Sequence, residues 1–384
     1  MSFDPDKWTV SSNDALQISL AEPQGAFSFR PAFTYPVFGD SEQIFGYKDL
    51  KIALAFDCAA LFPFLSVTYS SKLENHDDII DVQAKLLEFL PKETIISDEN
   101  KWLDVVEADK FEIPGTKIKT YHRGDEEFSI YKSTLSEASK LHLRIRIFVL
   151  LFIEAASYID ETDPVWEIYL VYKTSGEKPS FVGFSTVYSY WYFESMEKHD
   201  LVALKNDVLD LKIRKKISQF VILPPYQQKG HGRELYSGMV EQFLQDDQVL
   251  EICVEDPSEQ FDDLRDRCDL ERLYREGVFS EENDFTSGLD VSAWIKKVIS
   301  KTKLEKRQFA RLVEMAMLKN EFGTKEIRLK IKRRLYVKNK DSLVELDIPT
   351  RKDKLQTAYQ RLEEDYLRIL ERVNIGSKKR KLAT

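Results

Sequence analysis

Residues 217–254 constrain the fold more than any other part of this chain. An apolar run, ISQFVIL (217–223), stops at Pro224 and Pro225. QQKGHG (227–232) follows, then a helix-patterned stretch over about 233–244, then VLEICV (249–254). Two prolines cannot donate into a strand ladder, so the first strand ends or diverges there. Glycines between a strand and a helix allow close backbone approach, because no Cβ stands in the way. Strand, glycine turn, helix and strand form a β-α-β unit, which requires a sheet with a helix packed on it. Taken alone, the turn fits an ordinary strand-to-helix connection as well as an anion site at a helix N-terminus. It lacks the three glycines of the dinucleotide fingerprint, and no Gly-Lys-Ser/Thr of a Walker loop follows.

The rest of the chain surrounds this unit with mixed elements. WEIYLVY (166–172) and FVGFSTVYSYWYF (181–193), joined by turn residues at 174–180, predict a hairpin. Thr134 and Glu137 have capping-box spacing, so a helix is expected from there to about Tyr158. Beyond Ile145 it is apolar nearly all round and therefore buried. Upstream, residues 50–56 and 61–70 read as strands, with Pro63 marking an edge or a strand start, and 82–90 reads as a short helix. Ile113-Pro114-Gly115 marks a boundary. The polar stretch 194–206 predicts a surface loop. Beyond Asp256 the pattern is helical, including 304–318 and 357–373, with a break at 343–348. No fixed-period repeat is present.

Composition narrows the function classes. The 384 residues allow two or three domains, and 43% hydrophobic with 32% charged residues is a folded, globular balance. The longest strongly apolar run, residues 147–153, is seven long, whereas a bilayer span needs about twenty, so no membrane helix is expected. The first six residues lack the pattern of a secretory signal. Cys58, Cys253 and Cys268 fit a reducing compartment, and His76, His122, His142, His199 and His231 have no ligand spacing, so no metal is expected. Residues 296–340 hold sixteen basic and four acidic side chains, which leaves −21 on the remainder against −9 overall. An acidic body favours a basic partner. The basic stretch reads as a solvated helical face, and DNA contact is not expected.

Gln227, Gly230 and Gly232 fill a Gln/Arg-x-x-Gly-x-Gly/Ala pattern that resembles the coenzyme A loop of the GCN5-related N-acetyltransferase superfamily. Further segments are similar to the catalytic subunits of type B histone acetyltransferases. They are VFG (37–39), IFGYK (44–48), FIEAASYID (152–160), TVYSY (186–190), FVILPPY (220–226), VEDPS (254–258) and FDDLRD (261–266). The resemblance implies an α+β protein. A GCN5-related core, with a mixed, mostly antiparallel sheet and one splayed strand pair, occupies 116–268. It is flanked by an N-terminal mixed domain (1–115), a C-terminal helical domain (269–375) and a basic flexible tail (376–384).

The same resemblance implies direct acetyl transfer from acetyl-CoA to lysine in the tail of newly made histone four. Backbone contacts to pantetheine fall at Phe220, Val221 and Ile222. Gln227, Gln228, Lys229, Gly230, His231, Gly232 and Arg233 hold the pyrophosphate, and Ser258 touches the cofactor from the other side. A lysine amine, with a pKa near 10.4, must lose a proton before it attacks. The general-base role falls to Glu255, assisted by Asp256 and Glu154. Glu154 also interrupts an apolar stretch, so a buried acid with a raised pKa is expected there, unless it pairs with Arg144 or Arg146. Glu255-Asp256-Pro257 also fits a plain strand-end turn. His231 reads as a packing residue at a helix start and not as a base. For the histone tail the resemblance implies Asp40, Ser41, Glu42, Tyr188, Ser189 and Tyr190. Strand periodicity puts Tyr188, Tyr190 and Tyr192 on one face. The implied partners are histone four with histone three, and a WD-repeat β-propeller histone-binding subunit docked at 194–206. The implied location is cytoplasmic and nuclear, the latter fitting the basic run at 378–381. Two other readings stay open: an acetyltransferase for another protein or a polyamine, and a non-catalytic histone chaperone.

Overall fold

Period-two alternation builds the framework. In a computed structural model, which describes residues 4–74, 78–193, 195–205, 212–280, 293–320 and 324–374, contacts divide the chain into two units. The first is Met1–Tyr190 with Lys216–Met239, and the second is Trp191–Lys215 with Val240–Thr384. The strands of the two larger sheets are numbered β1 to β11.

In the first unit, β1 (Leu16–Glu22), β2 (Gly25–Phe29), β3 (Lys51–Asp57), β4 (Pro63–Thr68) and β5 (Ile95–Ile96) form a sheet in the order β2-β1-β3-β4-β5. Leu16, Ile18 and Leu20 alternate into its core, as do Ile52, Leu54 and Phe56. Pro63 opens β4, where its missing N–H is harmless. A second sheet runs β6 (Thr116–Arg123), β7 (Glu126–Thr134), β8 (Glu167–Lys173), β9 (Ser180–Trp191) and β10 (Ile213–Ile222). The β6–β7, β7–β8 and β8–β9 pairings are antiparallel, so the expected hairpin is present. Ile217, Gln219 and Val221 of β10 point inward.

In the second unit, Ile213–Lys215 of β10 lies beside β11 (Val249–Val254), and Ile213 N donates to Gln248 O. Helices Glu259–Arg275, Ala293–Thr302, Lys306–Lys319, Thr324–Lys338 and Ile348–Leu370 follow. They bury Leu270, Phe309, Leu312, Ile331, Tyr366 and Ile369. Three expectations need correction. The helix expected over 134–158 is two short ones, Ser139–Ile145 and Ile147–Phe152. The Leu151 carbonyl accepts from Ala32 and Phe33 N–H, while Ala155 N–H donates to Tyr35 OH, so the next helical bond is diverted. The 194–206 loop is helical over Met196–Lys205, where Glu, Lys, Leu and Ala are strong helix formers despite their polarity. The break at 343–348 is shorter, because Lys340–Val344 is itself helical. Glu194, Asn206 and the 376–384 tail, with its basic run at 378–381, lie outside the described residues.

One close approach fixes the strand that leads to the glycine turn. Gly183 of β9 faces β10, and a Cβ built there would sit 2.3 Å from Val221 O. Leu223 N–H donates to Val182 O at 2.9 Å, and Ser185 Oγ to Gln219 O at 2.8 Å. Gly183→Ala must therefore push β10 away, at a cost of about 1–3 kcal/mol for an overpacked core. Chemical denaturation should register that loss; an unchanged midpoint would show that the two strands separate freely.

His231, at the start of helix His231–Gln245, is 1% exposed. Its Nδ1 lies 2.7 Å from Tyr121 OH, and its ring packs 4.4 Å from the Phe128 centroid. Burial, then the nearby Arg123 and Lys229, lowers its pKa from 6.5 to about 4. Below pH 6.5 the unfolded chain takes up a proton that the folded chain refuses, so stability present at neutral pH is lost toward pH 4. The loss amounts to about 3 kcal/mol. Melting temperature should fall more steeply over this window in the wild type than in His231→Asn; parallel profiles would refute a buried neutral imidazole.

Candidate active site

The glycine turn is a shaped loop. After Ile222 the chain makes a short 3-10 turn at Pro224–Tyr226 and enters the helix at His231. Two residues between them are left-handed, Gln228 at φ 59° and Gly230 at φ 86°. Glycine adopts that conformation freely, whereas glutamine does so at a cost of about 1–2 kcal/mol. The loop is tied from several sides. Gln227 Nε2 donates to Ile222 O and Lys229 Nζ to Pro225 O, both at 2.8 Å. From β6, Arg123 Nε donates to Lys229 O at 3.0 Å and its Nη2 to Glu234 Oε1 at 2.8 Å. Lys119 Nζ lies 3.3 Å from Glu234 Oε2. These cations help to hold the Glu234 carboxyl below its usual value against the opposing effect of burial.

The approach to the loop is anchored in a buried polar cluster. Ser180 Oγ donates to Glu22 Oε1 and lies 3.1 Å from Tyr226 OH, which donates to the same carboxylate at 3.2 Å. Lys173 Nζ sits 3.5 Å from Glu22. The residue just before the loop is thus pinned to the end of β1.

Tyr188 and Tyr190 stack with centroids 6.4 Å apart, on one face as the strand period requires. Trp166 meets Tyr188 edge-on at 4.8 Å, and Tyr188 OH donates to Asp163 Oδ2 at 2.9 Å. That bond, with burial and the Asp163 charge, raises the Tyr188 pKa. Asp40 and Ser41 are exposed. Glu42 is held differently: its carboxylate accepts from Thr34 N, Tyr35 N and Asn13 Nδ2. The Thr34 bond is the leading cause of its lowered pKa. It therefore serves the start of the short helix Tyr35–Phe38.

Glu154 departs from expectation. It is exposed on the turn after the helix and is not a buried helical acid. Arg144 pairs with Glu93, and Arg146 with Glu161, so the expected partners are engaged elsewhere. In the second unit, Glu255 and Asp256 are exposed immediately after β11, with Asp256 at φ 34°. Ser258 caps helix Glu259–Arg275 by accepting from Phe261 N–H. Among the described residues, no group of His, Cys, Asp or Glu could hold a metal ion, and no helix is long and apolar enough to cross a membrane.

Phe220, Val221, Ile222, the 227–233 segment, Tyr188 to Tyr190, Asp40 to Glu42 and Glu154 belong to the first unit, while Glu255, Asp256 and Ser258 belong to the second. Sequence reading missed Arg123, Lys119, Glu234, Glu22 and Ser180. Nothing local marks them, since Arg123 and Glu234 are 111 residues apart and Glu22 and Ser180 158 apart. Gly183, inside a strand pattern, did carry a readable signal of close approach.

The chain matches two family models, "Histone acetyl transferase HAT1 N-terminus" over residues 8–154 and "Fungal HAT1, C-terminal" over residues 266–321. The histone acetyltransferase type B catalytic subunit of Debaryomyces hansenii is 50% identical over 382 residues, covering 96% of this chain and 91% of that protein. That of Candida albicans is 46% identical over 397 residues, covering 98% and 93%. That of Schizosaccharomyces pombe is 36% identical over 377 residues, covering 96% and 94%. With such identity maintained along nearly the whole length of both partners, the chain belongs to the type B histone acetyltransferase catalytic subunits, a family of N-acetyltransferase enzymes.

Proposed function

We propose that this chain transfers the acetyl group of acetyl-CoA directly to lysine side chains in the N-terminal tail of newly synthesised histone four. The observation that carries the cofactor part of this reading is the 227–232 loop. It joins a strand to a helix N-terminus, two of its residues are left-handed, and its carbonyls at Lys229 and Gly230 face Arg123. Such a loop suits an anion, because helix-start N–H groups and the helix dipole favour negative charge. In this reading residues 227–233 receive the pyrophosphate, and the backbone of Phe220, Val221 and Ile222 pairs with the pantetheine amides like an added strand. Ser258 touches the cofactor as well. The second sheet is then a GCN5-related core over 116–268, between an N-terminal mixed domain and a C-terminal helical one.

Glu255 takes the proton from the attacking amine, with Asp256 and the exposed Glu154 assisting. The tail lies against Tyr188, Ser189 and Tyr190, with Asp40 and Ser41. Glu42 contributes through the turn that it holds in place. A WD-repeat histone-binding subunit, with histone three alongside histone four, completes the assembly in cytoplasm and nucleus. Its docking site is the segment around helix Met196–Lys205, where Met196 is 67% and Leu201 56% exposed.

Mass spectrometry of a free histone four tail peptide incubated with enzyme and acetyl-CoA tests the reading. Acetylated lysine is expected; an unmodified peptide that still binds would favour a chaperone, and modification of a polyamine instead would change the substrate class. Positioned general bases contribute about 10²–10⁴ in rate, so Glu255→Gln should lower kcat by that factor with acetyl-CoA affinity unchanged. Retention of more than about a tenth of kcat, a loss below that range, would move the role to Asp256 or Glu154.

A further inference from the structure

The edge strand of the second sheet presents three side chains to the start of helix His231–Gln245. Lys119, Tyr121 and Arg123 are spaced two apart on β6, so they share one face. Lys119 reaches Glu234, Tyr121 OH meets His231 Nδ1, and Arg123 spans the loop. Its Nε donates to Lys229 O at 3.0 Å, and its Nη2 to Gly230 O at 3.5 Å and to Glu234 Oε1 at 2.8 Å. Nη1 is fixed in turn on His122 O at 2.9 Å. The guanidinium lies 5.2 Å from the Tyr121 ring centroid, and that ring stacks on Phe128 at 5.4 Å. A Cβ on Gly230 would come within 2.9 Å of Arg123 Nη2, so loop and guanidinium are in close contact.

These contacts have a stereochemical consequence. In a planar trans peptide, C=O and N–H point in opposite directions. Turning the carbonyls of Lys229 and Gly230 toward Arg123 turns the N–H groups of Gly230 and His231 the other way. The left-handed Gln228 is unfavourable by itself, and such a conformation persists only where its surroundings over-determine it. We propose that Arg123 and Tyr121 are positioning residues: from the sheet edge they set the loop so that its amides face the pyrophosphate of acetyl-CoA, and they thereby control affinity for the nucleotide end of the cofactor. This rests on the reading of the loop as the cofactor's phosphate site. An arginine is required because its planar fork serves several acceptors at fixed angles, which a lysine ammonium cannot do.

The test compares acetyl-CoA with S-acetylpantetheine, which carries the same thioester but no pyrophosphate. In Arg123→Ala, the KM and Kd for acetyl-CoA should rise about tenfold, equivalent to about 1.4 kcal/mol. The KM for S-acetylpantetheine and that for the peptide should stay within about twofold, a shift of no more than about 0.4 kcal/mol. Arg123→Lys should behave like the alanine variant. Should Arg123→Ala fail to fold, Tyr121→Phe, which loses one hydroxyl, should give the same selective rise at about threefold, or about 0.7 kcal/mol. The proposal is overturned if acetyl-CoA affinity is unchanged in folded Arg123→Ala. It is equally overturned if both acyl donors weaken together, or if Arg123→Lys retains wild-type affinity, since a plain charge would then suffice. Wild-type protein that binds no acetyl-CoA in calorimetry would instead remove the cofactor reading on which the proposal stands.

Discussion

The close approach of Gly183 to Val221 O is the constraint on which the path of β10 into the glycine turn depends. Without a side chain at position 183, β10 lies close enough to β9 for Leu223 N–H to reach Val182 O. Gln219 is held as firmly: its N–H donates to Thr186 Oγ1, and its Nε2 to Ser157 O. These bonds fix where β10 ends and hence where the two prolines turn the chain into the loop. A displacement at Gly183 would be carried along a close-packed strand to residues 227–232, because interiors at crystal-like density transmit strain.

The loop that follows is held by residues from distant parts of the chain. Tyr226 is tied to Glu22 and Ser180 on one side, and Lys229, Gly230, His231 and Glu234 to β6 on the other. Polar groups so placed are costly to bury singly but stabilise one arrangement when each has a partner. His231 fits this logic. A histidine beside a glycine loop at a helix start invites a catalytic reading, yet its Nδ1 is occupied by Tyr121, and its low pKa keeps it neutral at physiological pH. It is part of the packing that shapes the loop.

What could be read from sequence was whatever depends on neighbours a few residues apart. β11 falls on residues 249–254 as its apolar run predicts, β8 and β9 pair as their turn residues require, and Tyr188 and Tyr190 share a face. Sequence pattern and structure part where a distant group intervenes or where a polar segment is helical by propensity. The helix expected to Tyr158 stops early because Leu151 O is claimed by Ala32 and Phe33, well over a hundred residues away. Glu154, expected to be buried on that helix, is exposed as a consequence. The 194–206 segment reads as a loop by its charge, although its residues favour helix. Glu42, which the resemblance assigns to the histone tail, has its oxygens engaged by Thr34, Tyr35 and Asn13, and only the folded turn reveals that.

The basic stretch 296–340 shows how a window of sequence misjudges a surface. Its excess of cations suggests a strongly positive face, but several are neutralised or engaged internally. Arg311 pairs with Asp266 at 2.6 Å, and Asp266 lies outside the window. Arg334 makes a bidentate pair with the fully buried Glu314, at 2.7 and 2.8 Å, and Tyr366 OH donates to the same carboxylate. Lys303 Nζ donates to the carbonyls of Phe243, Leu244 and Asp246, where it serves the C-terminus of a helix. Removing either member of the Glu314–Arg334 pair would strand a buried charge, a change that costs about 3–5 kcal/mol, so these cations are committed to the helical fold. Those that remain outside are crowded by their own kind: Arg307, then burial and Arg334, lowers the Lys338 pKa. Arg311, Arg334 and Lys303 are thereby withdrawn from any polyanion, and the charge of the exposed cations is screened beyond about 8–10 Å at physiological salt. The −21 carried by the rest of the chain outweighs the +12 of this stretch, which is why the net charge is −9.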